Sequence, residues 1–467
     1  MIAVFIVALV VAVVWGLLLL RWTGLVGGCV AVLIIGSALG HPFFHADVMG
    51  LPITLDRLLL VLLLGMFVVL WRTGRLEHRR LNRQDVVTLA FVGVVTLSAL
   101  TKNATAHGLA TLFVFCIMPL SVYWMLRGIS ISSRTVWGVF AAMAVFGFYL
   151  AATAVFEQQQ ITWLVYPKYI MSSKVEAFLG RGRGPFLNPV GNGLYITTGL
   201  FALLAFWPRA NRYGRVLLAL VALVFLAGIA CTMTRAVWGA AVLGFVILAI
   251  SSMPRRWSVA LALAVTMITG GVVAMKWSDL SSFKRDKYVT VSDMAESARL
   301  RPILAMVAWN MFLDRPLLGC GYGQYGNESI YYLEDRSTAL PLEKARPYNQ
   351  HNVVLSLLTE TGLLGAGLFL LMLGAWYLTA WRMCTDPNQG SAARQLGILT
   401  LIVLSVYLTA GMLHDMSVVA MANMLLFFLA GASRGACHVP ATFEPAQARR
   451  NPATHSALPL LQTGGMP

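Results

Sequence analysis

The chain has 467 residues, 58% of them hydrophobic and 12% charged, with a formal charge of +16. Soluble domains carry about 25% charged residues, so a soluble globular enzyme is excluded. A membrane β-barrel is excluded as well, because its strands alternate in short segments and the apolar runs here are long and continuous. Nor does the positive charge point to nucleic acid. It is parcelled into short turns between apolar runs, with five arginines in 71–85, three in 208–215 and two in 254–256, as cytoplasmic turns of a polytopic membrane protein are built.

Taken in order, the apolar runs predict spans at 1–20, 23–40, 55–71, 86–104, 108–126, 136–156, 193–207, 215–231, 236–252, 257–276, 361–381, 395–413 and 417–433. The expected fold class is an all-α polytopic membrane protein with about 12–13 transmembrane helices. The first run lacks a basic leader and a small-residue cleavage site, and reads as an uncleaved helix. The arginine-bearing turns after every odd-numbered span from the first to the eleventh then share one face. Segments 41–54, 105–107, 157–192, 232–235, 277–350 and 414–416 share the other. Six scattered cysteines without CxxC spacing indicate neither a disulfide framework nor a zinc site.

Two outer segments are long. Loop 157–192 is interrupted by Pro167, Pro185 and Pro189 and reads as turn and extended chain. Loop 277–350, with Lys276, carries ten basic against nine acidic residues, which is near neutrality, and is long enough to be translocated whatever its charge. The expected organisation is N-terminal helices over 1–276, an extracytoplasmic loop subdomain over 277–350, C-terminal helices over 351–433 and a disordered cytoplasmic tail over 434–467. Within the loop, Asp293 and Glu296 form a capping-box pattern. Ile303, Leu304, Val307, Met311 and Phe312 follow at helical spacing, and the helix should stop before Pro316.

Polar chemistry gathers on the outer face. Arg181 and Arg183 precede the seventh span, Arg235 sits where the eighth and ninth meet, Arg299 and Arg301 open the loop helix, and His351-Asn352 leads into the eleventh. A single arginine at the bilayer edge can snorkel without further role. Arg235 departs from that reading, lying in a minimal turn on the face where short-loop arginines are disfavoured. Separated guanidinium sites facing one compartment suggest an anionic ligand such as a diphosphate, which their planar fork matches. A neutral His351 could accept a hydroxyl proton, with Tyr348, Asn349 and Asn352 orienting it or binding sugar hydroxyls.

Other patterns carry less. His414-Asp415 is a second outer pair, between two spans that leave little room for substrate. His41, His45 and Asp47 lack the spacing of a metal site, and no metal is expected. Gly321-x-Gly323-x-x-Gly326 matches a dinucleotide fingerprint only formally, without a preceding strand, and reads as a tight turn returning the loop over the bundle.

Arg301 with its apolar helix, Pro316-Leu-Leu-Gly-Cys-Gly-Tyr-Gly323, His351-Asn352 and Glu360-Thr-Gly-Leu-Leu-Gly365 together resemble the O-antigen ligase/polymerase superfamily. Arg181-x-x-Gly-Pro-Phe-x-Asn-Pro189 and Thr234-Arg235-Ala236 resemble its upstream arginine motifs, so the likeness covers roughly 180–381. The chain departs from the family pattern at Ala305, where an aromatic residue is usual, and at Val190, where Asn is common.

The resemblance implies a GT-C-like glycosyltransferase of the bacterial cytoplasmic membrane, its active site facing the periplasm or exterior. The donor would be a polyprenyl-diphosphate-linked glycan and the acceptor a lipid or glycan hydroxyl. It implies no cofactor, catalysis by His351, Arg301 and Arg235, and donor binding by Arg181 or Arg183 and by Arg299, Tyr348 and Asn352. The acceptor decides between an O-antigen ligase and an O-antigen or exopolysaccharide polymerase. A polysaccharide flippase is the reading from another class, and would call for internal repeats and midplane charges on both sides. Glu360 lies about two and a half helical turns from His351 and reads as structural.

Overall fold

A computed structural model describes residues 24–40, 43–48, 51–76, 79–101, 106–172, 178–252, 291–334, 340–346 and 350–437, with isolated helical residues between 256 and 271. The expected span 1–20, most of 257–276, the loop start 277–290 and the tail beyond 437 lie outside these residues, as do His41 and Tyr348 and the side chains of Asp47, Asp293, Glu296 and Arg299. The described chain is all-helical apart from one short antiparallel pair, Ala46–Val48 with Leu51–Ile53.

The principal helices are α1 (Gly24–Ala38), α2 (Leu55–Arg72), α3 (Arg83–Thr101), α4 (Gly108–Arg127), α5 (Ser133–Gln158) and α6 (Pro189–Arg209). They continue with α7 (Arg212–Cys231), α8 (Arg235–Ser252), α9 (Val291–Asp314), α10 (Val353–Thr385), α11 (Ser391–Gly411) and α12 (Ala420–Ala436). Among the described residues eight, α3 to α8 with α10 and α11, are long and apolar enough to cross a membrane. Helices α1 and α12 are shorter, and α2 carries Asp56, Arg57 and Arg72. The chain is an all-α polytopic membrane protein.

Local signals start these helices where they do. Ser132, Asn188, Asn211 and Asn352 each accept backbone N–H bonds in the first turn of α5, α6, α7 and α10. Pro189 occupies the first position of α6, where a missing N–H costs nothing. Helices α6 and α11 form the centre, each with 78% of its membrane-length stretch buried, against 17% for α7, whose leucines face outward. Where α5 crosses α6, Gly147 and Gly199 let the backbones touch, since a Cβ on Gly199 would lie 2.7 Å from the Gly147 Cα. At the end bearing the arginine-rich turns, Arg127 pairs with Asp85 at 3.0 Å, and the Tyr123 hydroxyl donates to the same carboxylate.

The segment between α8 and α10 has a core of its own. Leu300, Ile303, Leu304, Val307, Ala308 and Met311 on one face of α9 pack against Cys320, Tyr325, Leu333, Leu342 and Ala345. Helix α9 ends at Asp314, before Pro316, and lies against α10.

The span expected at 361–381 is the second part of a longer helix. Helix α10 begins at Val353, capped by Asn352, and Thr359, Glu360 and Thr361 interrupt its hydropathy. Gly362 takes φ 64° and ψ −165° and breaks the helical ladder there. Residues 316–321 fill the break. Leu363 N–H donates to the Pro316 carbonyl at 2.8 Å, while Cys320 and Gly321 donate to the Thr359 and Glu360 carbonyls, each at 2.9 Å. Contact is backbone to backbone, and a Cβ on Gly362 would sit 2.3 Å from the Leu317 carbonyl carbon.

Gly362→Ala should therefore destabilise strongly. Its backbone region costs a non-glycine residue about 1–3 kcal/mol before the clash is counted. Gly367, also in α10, has nothing within 4 Å of a Cβ position, so Gly367→Ala should melt at or above the parent. Melting followed by size-exclusion in detergent checks both, and an unchanged Gly362→Ala would show that the break is not built as described.

Candidate functional site

Loop 178–188 carries alternating arginines and glycines, and the alternation sends them opposite ways. Gly182 is pressed against α5 and the end of α7, its N–H donating to the Cys231 carbonyl at 2.8 Å. Arg183 turns inward. Fully buried, it faces the Glu157 carboxylate at 3.5 Å and donates to the Ile170 carbonyl at 2.7 Å. Burial lowers its pKa, and the Glu157 charge opposes that shift. Glu157 also accepts from Gly184 N–H at 2.9 Å, so the pair anchors the loop.

Arg181 points the other way, over the Phe178 ring. It donates to the Thr232 carbonyl at 3.3 Å and to the Thr234 hydroxyl at 2.5 Å. Thr234 directly precedes Arg235, the first residue of α8, so Arg181 is bound to the residue before Arg235. Arg235 is half-buried and faces Arg301 of α9. Although Arg301 as a residue is exposed, its guanidinium is partly desolvated, and this, followed by the Arg235 charge, lowers its pKa. Among the described residues neither Arg235 nor Arg301 forms an ion pair. Two like charges close enough to influence each other would be relieved by an anion.

His351 stands next. Desolvation and then the Arg301 charge lower its pKa, which favours the neutral imidazole. Asn352, one residue on, is committed to structure. Its carboxamide oxygen accepts from Val354 and Leu355 N–H at 2.9 and 3.0 Å, and its Nδ2 donates to the Met412 carbonyl at 3.2 Å. That cap fixes where His351 leaves the helix.

One neighbour was not legible as part of this cluster. The His414 ring lies 6.3 Å from that of His351. The expected lack of room does not hold, because Asp415 lines a cavity of ≈ 500 Å³ shared with Gln350, Tyr325, Ser356 and Glu360. Burial raises the Asp415 pKa, against hydrogen bonds from Ser417 and Ser356. Glu360 accepts from Tyr325 N–H at 3.3 Å and from the Gly323 backbone, so it holds the glycine turn while facing the cavity. A short connection between two apolar runs conceals a cavity, since its walls come from α4, the glycine turn and α10. The one available signal was a His-Asp pair on the same face as His351.

Of the residues singled out in the sequence, Arg235, Arg301 and His351 lie near enough to influence one another, and Arg181 is bound to Thr234 beside Arg235. Arg183 and Asn352 serve the framework, and the Arg299 side chain, Tyr348 and Asn349 lie outside the described residues. Residues 220–370 match the family model described as O-antigen ligase, a stretch that holds Arg235, Arg301 and His351 and leaves Arg181 upstream. This match supports placement in the O-antigen ligase/polymerase superfamily. A search of curated proteins finds no match.

The electrostatics can be read directly. A histidine ring resonance assigned to His351 should titrate below the usual histidine range in lipid nanodiscs, and Arg301→Gln should move the midpoint upward by removing a nearby positive charge. Because the folded state binds this proton more weakly than the unfolded chain, the His351 contribution to stability falls as pH drops below the unfolded value. No movement in Arg301→Gln would place the two groups too far apart to interact.

Proposed function

We propose that the chain is an O-antigen ligase-like glycosyltransferase, moving a glycan from a polyprenyl-diphosphate carrier to an acceptor hydroxyl on the outer side of the bacterial cytoplasmic membrane. The observation that carries this reading is the convergence of Arg181, Arg235 and Arg301, from three separate stretches of chain, beside a histidine kept neutral. The arginines hold the diphosphate and stabilise the charge that grows on it as the glycosidic bond breaks, the role a metal ion fills in other sites. His351 takes the proton of the acceptor hydroxyl. The hydroxyl oxygen bonds to the anomeric carbon, the carbon–oxygen bond to the diphosphate breaks, and the diphosphate departs on its carrier with the bonding pair. This is a single displacement with inversion. Arg183 and Asn352 keep the framework roles their contacts describe.

His351→Gln retains hydrogen bonding but not basicity near neutral pH, and should lower transfer by about 10²–10⁴ with donor binding intact. Arg235→Ala should lower it by about 10²–10³, and Arg235→Lys by less, since lysine keeps the charge and loses the fork. Purified protein in lipid, compared at equal folded amounts, decides the matter. Substantial transfer by His351→Gln removes the base assignment. Cells deleted for the protein extend the test, because long unligated chains on the carrier identify a ligase and single repeats a polymerase.

The facing of the site is testable separately. With the native cysteines replaced, Tyr331→Cys on the exposed loop should react with an impermeant maleimide added to the outer face, and Gly74→Cys in the basic turn should not. The reverse labelling would overturn the orientation.

A further inference from the structure

The three arginines in 208–215 look alike in the chain and end differently. Arg209 is committed, its guanidinium 3.8 Å over the Trp137 ring and donating to the Ser391 hydroxyl at 2.7 Å. Arg212 and Arg215 are exposed, and among the described residues neither side chain has a hydrogen bond or an ion pair. Three residues apart on α7, they are neighbours on its surface, where like charges repel. Both line an open cavity of ≈ 440 Å³ whose other walls include Trp207, Val216 and Ala219. The apolar surface continues from there. Val216, Ala219, Leu223 and Leu226 follow the arginines at helical spacing along α7, and all four are exposed. From Val216 to Leu226 the helix rises about 15 Å, the depth of one leaflet of a ~30 Å hydrocarbon core. Of the eight membrane-length helices described, α7 has the least protein around it.

We propose that this cavity holds the headgroup phosphate of an anionic phospholipid, with an acyl chain lying along the exposed face of α7. A phosphodiester supplies the partner that both guanidinium groups lack, and their planar forks match its oxygens. It also relieves their mutual repulsion. A soluble phosphate would use the arginines alone, whereas the apolar wall and the leaflet-deep stripe beyond it suit a chain attached to that phosphate. Trp207 stands where headgroup and chain join, a position that suits an amphipathic ring. A zwitterionic lipid brings an ammonium group that the arginines repel, so the site prefers a lipid of net negative charge. The far end of α7 gives the occupant consequence. There the Cys231 carbonyl accepts from Gly182 N–H at 2.8 Å, and the Thr232 carbonyl, just past the helix, accepts from Arg181 at 3.3 Å. A lipid seated at one end of this sparsely packed helix steadies the helix whose other end positions Arg181.

The test uses full-length protein with the native cysteines replaced, a bimane fluorophore on Leu220→Cys beside the stripe, and nanodiscs of phosphatidylcholine. Two probes are titrated in, phosphatidylglycerol and phosphatidylcholine carrying the same nitroxide-labelled acyl chain, and quenching of the bimane is read. Phosphatidylglycerol should reach half-maximal quenching at a mole fraction about five- to twenty-fivefold lower, about fivefold for each arginine engaged. Arg212→Gln/Arg215→Gln should bring that ratio close to one. Arg72→Gln/Arg75→Gln removes the same charge from another exposed turn and should leave it unchanged. Ala219→Trp fills the groove and keeps both arginines, and should also lower the ratio, while soluble glycerol phosphate should not displace the lipid. All of these side chains are exposed, so each variant should melt with the parent. No preference for phosphatidylglycerol in the parent overturns the site, as does a preference that both double variants reduce equally, which is diffuse surface charge. A preference that survives Ala219→Trp and yields to glycerol phosphate overturns the lipid in favour of a soluble phosphate.

Discussion

The structure depends on how one broken helix is satisfied. Inside a bilayer an unpaired backbone group has no water to turn to, and a break such as that at Gly362 survives only where other protein supplies the missing bonds. Here the partner is the Pro316–Gly321 turn, close enough to touch because glycine stands on both sides, at positions 319 and 362. The interlock ties the segment carrying α9 to the helical bundle. Ser98 of α3 extends it, accepting from Tyr322 N–H at 3.1 Å. The polar groups of the site inherit their placement from this joint. The first part of α10 leads back to Asn352 and His351, and the glycine turn leads forward to Tyr325 on the cavity wall.

Around that joint polar groups gather from distant segments. Guanidinium groups come from the loop before α6, the start of α8 and the loop helix α9. Carboxyl groups of α10 and the α11–α12 connection line a cavity with Gln350. The buried Arg183–Glu157 pair holds one of the contributing loops.

Much of this was legible in the chain. Apolar runs interrupted by arginine-bearing turns announced a helical membrane protein, because hydrocarbon tolerates few other solutions for a backbone. Four widely spaced residues, Arg181, Arg235, Arg301 and His351, could be picked out since each stood at the outer edge of a span, where polar groups are conspicuous. What could not be read was direction. Arg181 and Arg183 are two residues apart and look equivalent, yet one meets Thr234 and the other Glu157. Asn352 looked like a ligand and is a cap, since its helix begins well before the hydropathy rises.

The sequence by itself determined the solvent and the class of fold, for these follow from local hydropathy and the distribution of arginine along the chain. It also set the end of the loop helix before Pro316, but not the break at Gly362. Only the tertiary structure decided which polar residues meet. Arg181 and Arg235 are joined through a threonine, His351 and His414 are far apart in the chain, and the cavity between the glycine turn and α10 belongs to no single segment. Those meetings depend on side-chain direction and on the packing of distant helices, which local composition does not encode.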